Sequence, residues 1–507
     1  MVYLLTVSLP LLAVFISILP LLSAIPQGVF YGFDPDAVYV GNALSYIQSH
    51  QIQYAEHPGT PAIWLIAQSF LPLRFYAKYI VHESFIDWAF LHYNFIFTYS
   101  RFFQALLFGI ALFFLLTAVW RFSRSKLAVI FVWVATLVFW PVPYLGSIIS
   151  PETLSVLLAS LWLLVLHSFI KNRSSTTLLL LSFLAGVALA NKTTNISLSL
   201  ATLVLCVAHY RRQPIFPRLI RLVLSIFAII AGFLTGLWPI RDRILHTIMT
   251  SFKFASHTAV HGNGPVALID IPIFLTNLKT FHLQNPVVLP LLTVSLMLAG
   301  YCFFSKSKKI PFEIPLIYIS TLSIFMAFFK FSLFHYQLAN YLILFFFSGI
   351  LIAALFRLTL FPLCLVLLWF LPVSTQRYFR EVSQLSTQVK TLESFIANHP
   401  PQIATVWEWG RSRDFAYFWA RGWGTGVFDR QLKTYRPDLL ELNSDFLTVV
   451  LSYRDQKPVF DVCWDQLYIQ QTSAPKFLGM YSDRPIIYEK IPGTSMALVT
   501  SSHCQKK

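Results

Sequence analysis

The run MVYLLTVSLPLLAVFISILPLLSAI (residues 1–25) contains no charged side chain. A helix of about 20 mostly apolar residues is long enough to cross a lipid bilayer. The run has neither a basic start nor a small-residue cleavage site, which distinguishes it from a removed signal peptide. It is therefore predicted to be a retained membrane span, in which Pro10 and Pro20 are tolerated.

The rest of the chain has the same character. Of its 507 residues, 56% are hydrophobic and only 12% are charged, which is typical of a multi-pass membrane protein. The net charge of +16 does not indicate a nucleic-acid partner, because the basic residues cluster between apolar segments. We predict an all-α polytopic domain in the cell membrane. Eleven spans are expected at about 3–25, 99–121, 126–144, 151–170, 176–190, 194–210, 222–240, 286–304, 312–330, 337–356 and 359–375.

The charges also predict an orientation. Thirteen of the 22 Lys and Arg residues before residue 377 lie in short loops that share one side of the membrane. Short loops rich in Lys and Arg are typically cytoplasmic, which places the N-terminus in the cytoplasm. The loops 26–98 and 241–285 are then outside. Eight of the nine acids before residue 377 fall on that outer side, and Glu313 alone falls inside.

Two regions differ from the spans. The stretch 60–81 is apolar but interrupted by charges, which favours helices lying in the membrane interface. Residues 377–507 hold 16 Lys and Arg and 13 Asp and Glu, with apolar stretches such as FLTVVLSY (446–453) and PIIYEKI (485–491). We predict that 1–376 is the transmembrane domain and that 377–507 is a small, soluble, extracytoplasmic α/β domain.

The stretch FDPDAVYVGNAL (33–44) places two acids directly after the first span. Carboxylates this close can share a divalent cation, or one can serve as a poised base. Alternatively, Asp36 caps a helix that starts near Ala37. His57 follows in AEHPGTPA (55–62), where a rigid Pro-Gly-Thr-Pro turn holds a side chain that titrates near neutral pH.

Glu152 is the only acid between the third and seventh predicted spans. It lies in GSIISPETLS (146–155), after Pro151 and at the start of the fourth span. An acid here can simply stabilise the N-terminus of a helix. It is also a candidate third carboxylate for catalysis or for a divalent cation on the outer side.

Several cations break the charge rule, because they lie at predicted outer ends of spans. Burying such a charge at the membrane centre costs about 2.5–3.5 kcal/mol, so it needs a partner or a function. A phosphate at the interface is a suitable partner, since Arg and Lys are its usual donors. Snorkelling to lipid headgroups is the alternative. These cations are Lys192, Arg241, Arg243 and Lys330.

Four segments together resemble one family. They are DPDAVYVGNAL (34–44), HPGTPAIWL (57–65), GVALANKTTNISL (186–198) and FKFSLFHYQLANYLILFF (329–346). The pattern, over about residues 30–350, is similar to the GT-C class of polytopic glycosyltransferases. The group in question contains the protein O-mannosyltransferases and the lipid A aminoarabinose transferases. The chain departs from it in one respect, because Pro35 separates two acids that are usually an adjacent Asp-Glu pair.

The resemblance implies an enzyme of the cell envelope that moves a hexose or pentose, with inversion, from a polyprenyl-phosphate donor on the outer face. The acceptor is a hydroxyl of a glycolipid, an oligosaccharide or a protein. One carboxylate removes the acceptor proton, and cations stabilise the departing phosphate. Asp36 is the favoured base and Asp34 the runner-up. Mg²⁺ or Mn²⁺ shared by Asp34, Asp36 and Glu152 is a candidate cofactor.

The same reasoning assigns the substrate-binding residues. Lys192, Arg241, Arg243 and Lys330 are expected at the donor phosphate, and His57, His335 and Tyr336 are expected to line the pocket. The alternative function is a polytopic lipid or solute transporter or flippase without transferase activity. That function would favour charges near the bilayer midplane and inverted repeats, whereas the ionisable residues here lie at span ends and no repeat is visible.

Overall fold

The computed structural model describes most of the chain. The described residues are 2–23, 36–52, 59–139, 142, 146, 148–211, 213–257, 266–267, 270–305, 310–330, 334–356, 359–398, 404–406, 466–470, 486–494 and 496–501. Asp34 and His57, both predicted site residues, lie outside these ranges. The chain divides into two compact units. One comprises 1–19, 55–62 and 104–379, and the other comprises 20–54, 63–103 and 380–507.

The described part of the chain is almost entirely helical. Its α-helices are α1 (Val2–Ser23), α2 (Asp36–Ser49), α3 (Thr60–Ser69), α4 (Leu71–Tyr76), α5 (Phe85–Leu91), α6 (Tyr93–Ser123), α7 (Lys126–Val138), α8 (Pro151–Asn172), α9 (Ser175–Asn191), α10 (Ile196–His209), α11 (Ile215–Gly236), α12 (Ile244–Ser256), α13 (Ile271–Gln284), α14 (Val288–Phe304), α15 (Glu313–Ala327), α16 (Leu338–Leu355) and α17 (Leu360–Asn398). Short 3₁₀ segments at Thr193–Asn195, Trp238–Arg243, Phe328–Lys330 and Phe334–Gln337 join several of them, and Ala77–Val81 is a π-helical turn.

All eleven predicted spans contain a helix, but many of these helices are shorter than expected. Among the described residues, five are long and apolar enough to cross a membrane: Phe95–Ser123, Pro151–Asn172, Ile215–Gly236, Leu338–Leu355 and Leu360–Arg380. A sixth span is possible if α13 and α14, bent by 107° at their junction, are taken together. Five others are shorter apolar helices: Leu4–Leu19, Lys126–Val138, Ser175–Asn191, Thr193–His209 and Glu313–Ala327.

Local sequence signals set several helix ends. Ser125 caps α7 by accepting a hydrogen bond from Ala128 N at 3.3 Å, and Ser174 caps α9 by accepting one from Thr176 N at 3.2 Å. Pro151 occupies the first turn of α8, where its missing N–H has no intrahelical partner to lose. The helix ends at Asn172, and the next residue, Arg173, has a left-handed φ of 55°. Helices α8 and α9 therefore form a hairpin with a very short connection.

Small residues allow α9 and α11 to pack closely. A Cβ added to Gly186 would overlap the Ile229 carbonyl oxygen, and one added to Gly232 would overlap the Phe183 carbonyl oxygen. A Cβ at Gly236 would lie 2.6 Å from the Ala190 Cβ. Such small-residue contacts are a common way for membrane helices to associate. They bring the C-terminal end of α11 against the C-terminal end of α9, next to Lys192.

The predicted C-terminal domain contains a small mixed sheet. Its strands are β1 (Ala404–Val406), β2 (Gln466–Gln470), β3 (Ile486–Lys490) and β4 (Met496–Ser501), in the order β1-β2-β4-β3. β1 and β2 are parallel, and the other two pairs are antiparallel. β3 lies within the apolar stretch 485–491, whereas the stretch 446–453 lies outside the described residues. Helix α17 runs through the boundary predicted at residue 376.

The interface stretch 60–81 is helical, as expected. It forms α3, α4 and the π-helical turn. Tyr99 of α6 donates a hydrogen bond to the Ser69 carbonyl oxygen at 2.6 Å, which ties the end of α3 to the N-terminal part of α6.

Candidate functional site

A group of buried polar residues lies at one end of the first unit, between helices that are otherwise apolar. Helix α8 begins here, α9 ends here, and α10 and α16 begin here. Lys192 lies between α9 and the 3₁₀ segment Thr193–Asn195, with extended backbone angles of φ −157° and ψ 133°. This break in the helix turns the Lys192 side chain away from the path of α9 and towards the start of α8.

Lys192 and Glu152 form a buried ion pair. Lys192 Nζ donates to Glu152 Oε1, and the two side chains are only 2% and 1% exposed. The ring of Tyr336 lies under the same ammonium group, with 3.9 Å between Nζ and the ring centroid. Breaking a buried pair by removing one partner leaves an uncompensated charge, so each member depends on the other. The aromatic face adds a cation–π contact.

Asn191 and Asn195 fix the backbone around the pair. Asn191 Nδ2 donates to the Pro151 carbonyl oxygen at 2.7 Å and to Ser155 Oγ at 2.9 Å. Asn195 Nδ2 donates to the same Ser155 Oγ at 2.9 Å and to the Ala188 carbonyl oxygen at 2.8 Å. The first turn of α8 is thus tied on both sides of Glu152 to the residues that flank Lys192.

A second set of bonds ties in Tyr336 and α16. Thr194 Oγ1 donates to the Tyr336 carbonyl oxygen at 2.6 Å, and Asn340 Nδ2 donates to the Thr194 carbonyl oxygen at 3.1 Å. Ser197 Oγ donates to Asn340 Oδ1. All of these residues are buried. The position of the Tyr336 ring over Lys192 is therefore supported by a network that spans α10 and α16.

Several buried polar atoms in this cluster have no hydrogen-bond partner among the described residues. Twelve such side-chain atoms occur in the described part of the chain, and four belong to Glu152 or to residues within two positions of Glu152, Lys192 or Tyr336. They are Glu152 Oε2, Ser150 Oγ, Asn191 Oδ1 and Gln337 Oε1. Buried polar groups in folded proteins are nearly always satisfied, so a concentration of unsatisfied ones indicates a place where something polar binds.

Two further predicted cations lie on the surface nearby. Arg241 and Arg243 belong to the 3₁₀ segment Trp238–Arg243, which starts two residues after Gly236. Both are exposed. The Arg241 guanidinium carbon lies 5.5 Å from the Trp238 ring centroid, and Arg243 Nε lies 3.9 Å from Asp242 Oδ2. The contact between Gly236 and Ala190 places this segment at the same end of the unit as Lys192.

The remaining predicted site residues are described only in part. Asp36 is the first residue of α2, in the second unit, which agrees with a helix beginning near this position. Lys330 ends one 3₁₀ segment and His335 lies in the next. The side chains of Asp36, Lys330 and His335 are not among the described ones. Within the described residues, no three His, Cys, Asp or Glu side chains are grouped to hold a metal ion.

The polar residues that support the pair were not among the residues predicted from sequence. Ser155, Asn191, Thr194, Asn195 and Asn340 were not singled out. A signal was available, because NKTTN (191–195) interrupts an apolar region and Asn340 lies inside the otherwise apolar start of α16. Uncharged polar side chains that interrupt an apolar region often mark hydrogen bonds between helices.

Comparison with known proteins supports the fold. No family model matches the chain, and no curated protein is similar to it in sequence. Several solved structures are similar to the chain in three dimensions, and two crystal structures are among them. The first is ArnT from Cupriavidus metallidurans bound to undecaprenyl phosphate, with a TM-score of 0.55 and 13% identity, covering 100% of this chain and 99% of ArnT. The second is the apo state of the same protein, with a TM-score of 0.52, 12% identity, and 98% and 97% coverage.

The alignments cover nearly the whole length of both chains. At 12–13% identity this similarity establishes architecture rather than chemistry. ArnT is an aminoarabinose transferase of the GT-C class, which is the group that the four sequence motifs indicated. The chain therefore has the multi-pass fold of a GT-C membrane glycosyltransferase.

Proposed function

We propose that this protein transfers a sugar from a polyprenyl-phosphate donor to an acceptor hydroxyl at the membrane surface, with inversion. The observation that carries the proposal is the full-length similarity to a transferase structure that holds undecaprenyl phosphate. A buried, polar, partly unsatisfied cluster at one end of an apolar helical unit supports it. This is the kind of place where a lipid-linked substrate meets a water-soluble partner.

The donor phosphate needs cations that are exposed at the surface of the unit. Arg241 and Arg243 are exposed and follow directly after α11, an apolar helix long enough to span the membrane. Lys192, in contrast, is buried and already paired with Glu152. We therefore assign the first contact with the phosphate to the two arginines, together with Lys330. Arg is suited to the role because its planar group binds phosphate through two parallel hydrogen bonds.

The general base is assigned to the first loop. Asp36 begins α2, and a carboxylate at that position also interacts favourably with the helix N-terminus. Asp34 is the runner-up. The base removes the proton of the acceptor hydroxyl as that oxygen attacks the anomeric carbon. The phosphate then leaves with its electron pair, and the cations stabilise the charge that develops on it.

Mg²⁺ or Mn²⁺ is the proposed cofactor, with oxygen ligands from the first-loop acids Asp34 and Asp36; Glu152 was the third expected ligand. Hard divalent cations prefer such carboxylate ligands, and the free Oε2 of Glu152 is of the right type. However, Lys192 already neutralises the charge of Glu152. The first-loop pair is consequently the better fit, and Glu152 would contribute less to cation binding.

The membrane orientation follows from the basic loops. We propose that the N-terminus is cytoplasmic and that the C-terminal domain and the candidate site face outward. This places the acceptor, whether glycolipid, oligosaccharide or protein, on the outer side.

Mass spectrometry of reaction products tests the proposal and identifies both substrates. Membranes containing the protein would be supplied with undecaprenyl-phosphate hexoses and pentoses. Matched membranes that lack the protein serve as the control. The proposal expects a new product that carries the sugar, with release of undecaprenyl phosphate. Transport of the intact lipid without any transfer would support a flippase instead.

A further inference from the structure

The unsatisfied atoms around Glu152 indicate which part of a substrate binds there. Glu152 Oε2 and Asn191 Oδ1 can only accept hydrogen bonds, and Ser150 Oγ can accept or donate. Asn191 donates both of its assigned bonds to oxygen atoms, which fixes the orientation of its amide. A ligand for this set must supply hydrogen-bond donors. A phosphate group, which only accepts when fully ionised, does not fit.

The ion pair explains how a carboxylate can present a free oxygen in so buried a place. Lys192 Nζ engages Oε1 and leaves Oε2 without a partner, while the Tyr336 ring lies against the ammonium group. The pair is electrically neutral, so burial costs less than for an isolated carboxylate. Neutrality also makes the place unfavourable for a divalent cation, whose own charge would remain uncompensated in a low-dielectric environment.

We propose that Glu152 and Asn191 form a subsite for the hydroxyl or amine groups of a sugar ring, and that Lys192 is the positioning residue that holds Glu152 for this purpose. The proposal rests on the proposed function and adds a role to it. Phosphate recognition falls to the exposed arginines, whereas sugar recognition falls to the buried pair. The sugar can belong to the donor or to the acceptor, since both present the same chemistry.

The chain contains a matched control. His209 and Glu313 form a second buried acid–base pair, with 3.3 Å between Nδ1 and Oε1 and side chains 6% and 9% exposed. His209 ends α10, whereas Lys192 lies just before it, so about 20 Å of helix separates the two pairs. Among the described residues, neither His209 nor Glu313 has a buried atom without a partner. Glu313→Gln thus removes a buried carboxylate without touching the proposed subsite.

The experiment compares the binding of two lipids to the purified full-length protein in nanodiscs. One lipid is undecaprenyl phosphate, and the other is undecaprenyl phosphate carrying mannose, glucose or 4-amino-4-deoxyarabinose. The ratio of the two dissociation constants measures what the sugar adds to binding. In Glu152→Gln we expect this ratio to fall by about tenfold, as for the loss of a hydrogen bond to a charged group, with undecaprenyl phosphate itself bound as before. Glu313→Gln should keep the wild-type ratio.

Further variants keep the test decisive if Glu152→Gln folds poorly. Glu152→Gln/Lys192→Met removes both charges and should lose the sugar preference as well. Lys192→Arg, which keeps the positive charge, should retain much of it. An unchanged ratio together with an acceptor KM raised about tenfold would support the subsite and assign it to the acceptor sugar.

Two outcomes would overturn the inference. One is an unchanged ratio and an unchanged acceptor KM in both Glu152→Gln and the double variant. The other is a sugar preference of the wild type that disappears on chelation of divalent cations. Failure of the wild type to bind undecaprenyl phosphate at all is distinguishable from both, because it would overturn the proposed function itself.

Discussion

The two ends of α10 hold two buried acid–base pairs that differ in one respect. Among the described residues, Glu152 Oε2 in the Lys192–Glu152 pair has no hydrogen-bond partner, whereas no buried atom of His209 or Glu313 lacks one, although the hydroxyl of the neighbouring Tyr210 does. His209 instead packs edge-on against Phe169 and Tyr210, with ring centroids 4.9 and 4.8 Å apart. Burial of a charge therefore does not distinguish a site from a structural contact. The carboxylate oxygen of Glu152 that has no hydrogen-bond partner is what distinguishes the two pairs.

Substitution of the first-loop acids is expected to lower the rate of transfer more than substitution of either buried pair. Asp36→Asn should lower the rate of transfer by roughly 10²–10⁴-fold, because loss of a general base has that cost. Donor binding should persist. If Asp36 only caps α2, the variant should stay active and lose about 1 kcal/mol of stability. Steady-state kinetics with Asp34→Asn alongside separates these results. Near-normal turnover in both variants would contradict the assignment of a base to this loop.

Removal of the basic residue should destabilise the protein more in the Lys192–Glu152 pair than in the His209–Glu313 pair. Lys192→Met leaves Glu152 buried and uncompensated, so we expect a loss of roughly 3–5 kcal/mol in the free energy of unfolding. Adding Glu152→Gln should restore much of it. His209→Gln should cost less, because a histidine can be neutral and glutamine can still donate to Glu313. Thermal melting of the detergent-solubilised protein measures all three. Equal losses for Lys192→Met and for the double variant would show that the ion pair is not the cause.

Arg241, at the Lys192 end of the unit, and Arg211, at the His209 end, can be compared for their contribution to phosphate binding. Arg241 lies near the Trp238 ring, and Arg211, at the end with His209, lies 4.4 Å from the Phe312 ring centroid. Arg241→Ala should weaken undecaprenyl phosphate binding by roughly tenfold, since it removes a charge-assisted hydrogen bond. Arg211→Ala should not change binding. Titration of each variant with undecaprenyl phosphate is the measurement. A similar loss in both would indicate general attraction to an anionic lipid rather than a defined site.

The smallest effect is expected from a substitution where α9 and α11 pack closely. Gly236→Ala places a methyl group 2.6 Å from the Ala190 Cβ, next to the Lys192 end. We expect about 1–3 kcal/mol of destabilisation, as for other overpacked contacts, with reduced transfer. Gly300→Ala is the control, because nothing lies within 4 Å of its added Cβ. A melting temperature unchanged in Gly236→Ala would mean that the two helices adjust freely at this end.

Much of the helical fold could be predicted from hydropathy, because membrane helices are marked by apolar length alone. The lengths of the helices could not. Residues 176–190 and 194–210 resemble two full spans, yet the polar NKTTN segment ends α9 at Asn191 and gives two short helices. A count by apolar length does not show where a buried polar network interrupts a helix.

The two charged residues of the buried pair stand out in the sequence, but their arrangement does not. Lys192 and Glu152 each stand out as charges in apolar surroundings, and both lie at the same end of the α8–α9 hairpin. Their pairing depends on side-chain directions across 40 residues of sequence, which no local pattern encodes. The same holds for Tyr336, whose position over Lys192 depends on bonds from Thr194 and Asn340.

The rate of sugar transfer in Glu152→Gln and Glu313→Gln tests the central claim most directly. Both substitutions remove one buried carboxylate while preserving side-chain shape, and they differ only in which end of α10 they alter. Product formation from undecaprenyl-phosphate sugar would be measured by mass spectrometry, with the folded fraction of each variant determined in parallel. We predict that Glu152→Gln loses at least tenfold in kcat/KM and that Glu313→Gln stays within about twofold of wild type. Equal activity of the two variants, whether both normal or both impaired, would contradict the account.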